Sequence, residues 1–237
     1  MRRNQRRDDA PACVRVIVLA KAPMPGRSKT RLTPPCTPAD AAAIAQAALE
    51  DTLRAAEQAS DSPMPRLSPM LALDGPAGDW LPPGIAVVAQ APGSLSERIA
   101  AAFDAAGGPA LLIGMDTPQI SPACLRSAAA ALTTPGCDAV LGPAEDGGWW
   151  CLGLRRPEPR ITRSITRGVA MSTAQTGDAQ HLRLHALGLR HSFLPSMRDV
   201  DTFDDALAVA ALAPGTRFAA TTARVRERIG HAAAPVA

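Results

Sequence analysis

The segment VRVIVLA, Val14 to Ala20, is an almost unbroken apolar run that leads through a loop of prolines, glycine and cations into an alanine-rich stretch. Such a run lacks the apolar–polar alternation of a half-exposed strand and is expected of a parallel strand covered on both faces. The same strand-then-helix order recurs along the chain. A helix is predicted from about Ala39 to Ala59, with Thr37 as its cap and Pro38 in its first turn. The Pro- and Ser-rich SDSPMPRLSP then leads to strands at Met70–Leu73 and Ile85–Ala89, and a helix follows at Leu95–Ala106. Next come the strand ALLIGMD (Ala110–Asp116) and a helix opened by Ser121 and Pro122 that runs to about Leu132. The strand DAVLGP turns through Asp146-Gly147-Gly148 into WWCLGL, which reads as a hairpin. A helix after Ser172, a strand LRHSFL, the segment DVDTFDDA and one or two terminal helices complete the chain.

Alternation of this kind predicts an α/β fold with right-handed crossovers, a mostly parallel sheet covered on both faces, and ligands at the carboxyl ends of the strands. The hairpin adds at least one antiparallel strand. At 237 residues one domain is expected. Its boundaries read as a disordered basic tail over residues 1–12, a domain over 13–213, and a C-terminal helix and tail over 214–237.

Composition narrows the function classes. The chain is 46% hydrophobic with four Phe, three Trp and no Tyr, so its core is built from Ala, Leu, Val and Ile and it lacks aromatic platforms for stacking bases. Net charge is only +3, much of it from the N-terminal arginines, so no basic stripe for nucleic acid is evident. No apolar run approaches the roughly 20 residues of a membrane span, and the start lacks the apolar segment of a secretory leader. Five cysteines, an odd number without a CxxC pair, suggest a reducing compartment with neither a zinc nor a disulfide framework. A cytoplasmic location is the expectation.

Four constellations carry candidate chemistry. The loop LAKAPMPGRSKTRL (Leu19–Leu32) gathers Lys21, Arg27, Lys29 and Arg31 around Gly26 at the mouth of the first strand. The 25 basic residues of the chain include only two lysines, and both lie in this loop. Lysine is a compact, mobile point charge where arginine is a rigid fork, so the loop reads as a cradle for the phosphates of a nucleotide, with a solvated basic loop as the alternative. It fits neither a Walker A loop nor the GxGxxG of a dehydrogenase. Asp116, at the end of ALLIGMD, stands where a hard cation bridging phosphates would be held, or is simply a turn residue. Asp199 and Asp201, two apart in an extended segment, point the same way and form a natural Mg²⁺ or Mn²⁺ pair, although Asp201 or Thr202 could equally cap the next helix. In GPAEDGGWW, Asp146, Gly147 and Gly148 form either a type I′ turn or a substrate-binding bend with Asp146 orienting a hydroxyl. His181 and His185 are four apart on a predicted helix without a third ligand and read as a solvated helix face. There is no GxSxG elbow and no Cys–His pairing for nucleophilic catalysis.

With these blocks in view, the chain from about Val14 to Leu207 resembles the radical-SAM/selenodomain-associated transferases, candidate glycosyltransferases of the nucleotide-diphospho-sugar transferase superfamily. AKAPMPGRSKTRL is the most specific part of the likeness, and GMDTPQI, VLGPAEDGGWW and DVDTFDD follow in the family's order. Three positions depart from it: Gly93-Ser94-Leu95-Ser96-Glu97-Arg98 where relatives carry Gly-Asp-Leu-Gly-Glu-Arg, Trp149-Trp150 in place of paired tyrosines, and Met171 in place of a tryptophan. The resemblance implies a single-domain, Rossmann-like fold of the glycosyltransferase-A type. It also implies a metal site of Asp116, Asp199 and Asp201; Lys29 and Asp116 are the expected catalytic residues, Asp116 holding the metal while Lys21, Lys29 and Arg31 stabilise charge on the phosphates. The DVDT segment and basic first loop are also similar to the 2-phospho-L-lactate guanylyltransferases. The implied activity is a Mg²⁺- or Mn²⁺-dependent transfer from a nucleotide or nucleotide-sugar donor to a small-molecule acceptor. Attack at the sugar carbon and attack at the α-phosphorus with loss of pyrophosphate both remain open, as does a non-catalytic nucleotide sensor.

Overall fold

The computed structural model describes residues 13–233; the tail expected over residues 1–12 lies outside the described residues. The elements run β1 (Val14–Lys21), α1 (Pro38–Ala59), β2 (Leu67–Asp74), β3 (Ala86–Ala89), α2 (Leu95–Ala106), β4 (Ala110–Gly114), α3 (Pro122–Thr133) and β5 (Ala139–Pro143). They continue with β6 (Trp149–Leu154), α4 (Pro159–Thr162), α5 (Thr176–Ala186), β7 (His191–Phe193), α6 (Phe203–Leu212) and α7 (Arg217–Ala233). The seven strands form one sheet in the order β3-β2-β1-β4-β6-β5-β7. Only β6 runs antiparallel, against β4 on one side and β5 on the other, as the hairpin requires.

The period of two along each strand sorts its side chains between two cores. Val14, Val16, Val18 and Ala20 pack with Leu49 and Leu53 of α1 and Leu125 of α3, while Ile17 packs on the opposite face with Ile99 and Phe103 of α2. Each fully buried Leu or Ile contributes about 1.5–3 kcal/mol. β2 begins earlier than its apolar pattern predicts and includes Pro69. Pairing with β3 starts only at Met70↔Ala86, so β2 is an edge at Pro69 and tolerates the missing amide hydrogen. The last strand shrinks from LRHSFL to three residues, and α4, a single turn after Pro159, has no counterpart in the sequence reading.

A third core joins the segments that matter for function. Leu32 of the basic loop and Val200 of the DVDT segment are buried together with Ile44 of α1, Phe203 and Val209 of α6, and Phe218 and Val225 of α7. The helices that build this core are fixed by their caps. Thr37 and Asp40 form a reciprocal capping box on α1, and Thr202 and Asp205 form another on α6. Among the described residues, no helix is long and apolar enough to cross a membrane.

Candidate active site

All strands but β6 end on the same side of the sheet. That placement brings the loop after β1, Gln90 after β3, Asp116 after β4, the β5–β6 hairpin and the segment after β7 around one cleft of about 640 Å³. The turn Met24–Arg27 has Pro25 and Gly26 at its centre, with the Arg27 amide bonded to the Met24 carbonyl at 3.1 Å. Gly26 has φ +73°, the left-handed conformation that a type II turn needs at this position. Ser28 is buried behind the turn, donating to the Ala22 carbonyl at 2.9 Å and accepting from the Met24 amide at 3.2 Å.

The four loop cations do not share one task. Lys29 is left-handed (φ 51°) and its side chain is only 9% exposed. Its ammonium lies 2.6 Å from Asp116 Oδ1 and 3.9 Å from Asp201 Oδ1, and also donates to the Val200 carbonyl. Arg31 pairs with Asp201 Oδ2 at 2.8 Å. The Val200 amide in turn donates to the Asp116 carbonyl at 2.8 Å, strapping the DVDT segment to the end of β4. Lys21 and Arg27, by contrast, form no ion pair among the described residues, and both line the cleft. Of the four cations expected to hold phosphate, Lys29 and Arg31 pair with carboxylates here, while all four line the cleft.

The carboxylates also regroup. Asp146, Asp199 and Asp201 each offer an oxygen within 4.8 Å of the others, close enough to share an ion. Asp116, expected in that group, stands outside it and pairs with Lys29. Burial, reinforced by the neighbouring negative charge of Asp146, pushes the Asp199 carboxyl up to about 6. Crowded carboxylates, one of them harder to ionise than usual, are what a divalent cation would relieve, so Asp146, Asp199 and Asp201 fit an oxygen-ligated ion such as Mg²⁺ or Mn²⁺. Asp201 is not spent on capping α6, which Thr202 does.

The hairpin is not a type I′ turn. Glu145 and Asp146 keep negative φ, Gly147 is at φ +88°, and the Gly147 amide bonds to the Ala144 carbonyl at 3.1 Å. This is a type I turn followed by a left-handed glycine. Asp146 is oriented locally, its Oδ1 accepting from the Gly148 amide at 2.7 Å.

Several cleft residues lie outside the predicted site set; Arg98, Trp149 and Met171 enter the sequence reading only as part of the departures from the family pattern. Arg98 reaches Asp74 Oδ2 at 2.7 Å, and this bond, helped by the charges of Arg98, Arg27 and Lys21, holds the Asp74 carboxyl below its usual range. Gln90 donates to the carbonyls of Ala20 and Ala72 at 2.8 and 3.0 Å, tying the ends of β1 and β2 together. Trp149, Met171 and Thr173 complete the lining. The capping box of Ser94 with Glu97, legible in the sequence, fixes the start of the helix that carries Arg98, and the Arg98 side chain is held by the Gly93 carbonyl and Asp74; Gln90 carried no local signal. His181 does not sit on a plain solvated face: its Nδ1 lies 2.8 Å from Nε2 of His191, and both rings pack on Phe193.

A family profile described as an uncharacterized protein conserved in bacteria (DUF2064) matches residues 29–173. A search of curated proteins gave no match. Among solved structures, the chain is similar to a candidate nucleotide-diphospho-sugar transferase from Desulfovibrio desulfuricans G20, with 22% identity, a TM-score of 0.76, and coverage of 92% of this chain and 97% of that one. It is also similar to CMP:2-keto-3-deoxy-manno-octonic acid synthetase complexed with CTP (11% identity, TM-score 0.54, 86% and 99% coverage). A cytidylyltransferase from Leptospira borgpetersenii serovar Hardjo-bovis gives 11% identity, a TM-score of 0.52, and 92% and 94% coverage. The fold is thus that of the nucleotide-diphospho-sugar transferases and cytidylyltransferases, as the resemblance implied.

Proposed function

Because this chain belongs to the DUF2064 family of bacterial proteins, built on a fold shared with nucleotide-using transferases, we infer that it is a divalent-metal-dependent transferase acting on a nucleotide-diphospho-sugar. The observation that carries this reading is the division of one cleft: a cation-sized carboxylate group at Asp146, Asp199 and Asp201, and two cations, Lys21 and Arg27, that form no ion pair among the described residues. A diphosphate with a bound metal matches both charges at once.

Mg²⁺ or Mn²⁺ bound to the three aspartates would neutralise the donor's phosphates as charge builds on the leaving group. Lys21 and Arg27 hold phosphate oxygens from the other side. Preorganised charges of this kind favour a transition state whose negative charge grows on the leaving diphosphate. Lys29 keeps Asp116 and Asp201 in place, so its contribution is to positioning. Thr173 and the Trp149 indole wall the space left for a small-molecule acceptor. A second reading, nucleotidyl transfer with release of pyrophosphate, is favoured by the same Lys21 and Arg27, since two cations facing the cleft suit a departing pyrophosphate.

The test is incubation with Mn²⁺ and a panel of nucleoside triphosphates and nucleotide sugars, read by thermal shift and by assays for nucleoside diphosphate and pyrophosphate. Metal-dependent stabilisation by a nucleotide sugar with release of nucleoside diphosphate is expected. Pyrophosphate release from a triphosphate selects the second reading, binding without turnover selects a sensor, and no shift with any donor rejects all three.

A further inference from the structure

The hairpin that carries Asp146 is held by a segment to which no role has been given. The Gly177 amide, in the first turn of α5, donates to the Gly147 carbonyl at 2.7 Å. A Cβ on Gly177 would lie 2.7 Å from the Gly148 carbonyl oxygen and 3.0 Å from that of Gly147, and a Cβ on Gly147 would run into the Ala174 carbonyl. Two glycine-bearing backbones therefore meet with no room for a side chain at either contact. The segment from Ala170 to Gly177 is itself braced: Thr176 is buried, its hydroxyl donating to the Ala170 carbonyl at 2.8 Å and accepting from the Thr173 amide at 3.0 Å. Along the same stretch, Met171, Ser172 and Thr173 line the cleft.

We propose that this segment is a clamp in which Gly177 acts as a positioning residue, fixing the hairpin so that the Asp146 carboxylate reaches Asp199 and Asp201. The inference rests on the metal reading above. One backbone clamp then sets both a ligand of the ion and the wall facing the acceptor.

Gly177→Ala isolates this role. Gly177 has no left-handed φ and opens a helix, so alanine suits its backbone and helix propensity favours the change; only the contact with the hairpin opposes it. Gly230→Ala, in α7 with nothing within 4 Å of its added Cβ, is the control for propensity. Two readouts are taken on the full chain: Mn²⁺ affinity by electron paramagnetic resonance titration, and metal-free tryptophan emission, to which Trp149 and Trp150 at the start of β6 contribute alongside Trp80. The clamp predicts that Gly177→Ala weakens Mn²⁺ binding at least about 10-fold, the loss expected when a group supporting a metal ligand is disturbed. It also predicts a shifted metal-free emission, with Gly230→Ala behaving as wild type in both. Wild-type Mn²⁺ affinity and unchanged emission in Gly177→Ala overturn the clamp. If the wild type itself takes up no Mn²⁺, the metal reading falls, and the metal-free emission alone decides whether the clamp holds the hairpin. Should Gly177→Ala not fold, Thr176→Val, which removes the brace, is read by the same two measurements with the same outcomes.

Discussion

The two ends of the cleft use the same kinds of side chain in opposite ways. At the acidic end, Lys29 and Arg31 are bound to Asp116 and Asp201, so the loop's cations there serve the protein. At the other end Lys21 and Arg27 form no ion pair among the described residues, and the nearby Asp74 is held by Arg98. Proximity in sequence therefore does not assign a common job: four cations within eleven residues divide into two that build the site and two that face its contents. Of the two that build the site, the Lys29 side chain is 9% exposed and its ion pair carries structural weight, whereas that of Arg31 is 67% exposed and its pair with Asp201 is a solvated one.

Substitutions can break this contrast. The largest effect is expected within the acidic end itself. Asp199→Asn and Asp146→Asn should each lower Mn²⁺ affinity by about 100-fold, whereas Asp116→Asn should cost less than about 3-fold because its partner is Lys29. Calorimetric Mn²⁺ titration of the three variants checks this, and a loss in Asp116→Asn equal to the others would return Asp116 to the ligand set. The next effect separates the two lysines. Lys29→Met leaves Asp116 unpaired and should cost about 2 kcal/mol, a drop in Tm of ~4–8 °C for a chain of this size. Lys21→Met should change stability by less than about 0.5 kcal/mol yet weaken phosphate binding by about 10-fold. Thermal melts and pyrophosphate titrations of both variants decide it, and equal melting losses would erase the distinction.

The smallest effect, once solvent screening of the partly exposed Asp199 is allowed for, is pH-dependent. Asp199 titrates near 6 in the folded protein and near 3.8 when unfolded, so the folded state binds its proton more tightly. The stability this provides is fully present below about 3.8 and is lost as pH rises through about 6. The wild type should therefore lose stability between those values relative to Asp199→Asn, and saturating Mn²⁺ should restore it. Urea melts of both proteins across that range measure the difference; parallel curves would mean that Asp199 is not the crowded group.

Much of the architecture was legible because the signals were local and redundant. The apolar runs at Val14 and Ala110, the Thr37-Pro38 start of α1 and the Asp-Gly hairpin each specify an element without help from the rest of the chain. The site was legible only as a set of segments. That Lys29 would turn inward depends on a left-handed backbone and on Val200, 171 residues away, which no spacing rule reports. Asp146 replaced Asp116 in the carboxylate group for the same reason: the exchange is set by where the clamped hairpin lies relative to β4. Gln90 was missed because its partners are backbone carbonyls of two other strands, an interaction open to any residue type with an amide.

The account turns on a polyphosphate held between a metal at Asp146, Asp199 and Asp201 and the cations Lys21 and Arg27. Calorimetric titration of pyrophosphate into the wild type, with and without Mn²⁺, tests it most directly, with Asp199→Asn and the double variant Lys21→Met/Arg27→Met alongside. The account predicts Mn²⁺-dependent binding to the wild type, lost in the first variant and at least about 10-fold weaker in the second. Pyrophosphate binding that is absent from the wild type in the presence of Mn²⁺, or equally strong without metal, would contradict it.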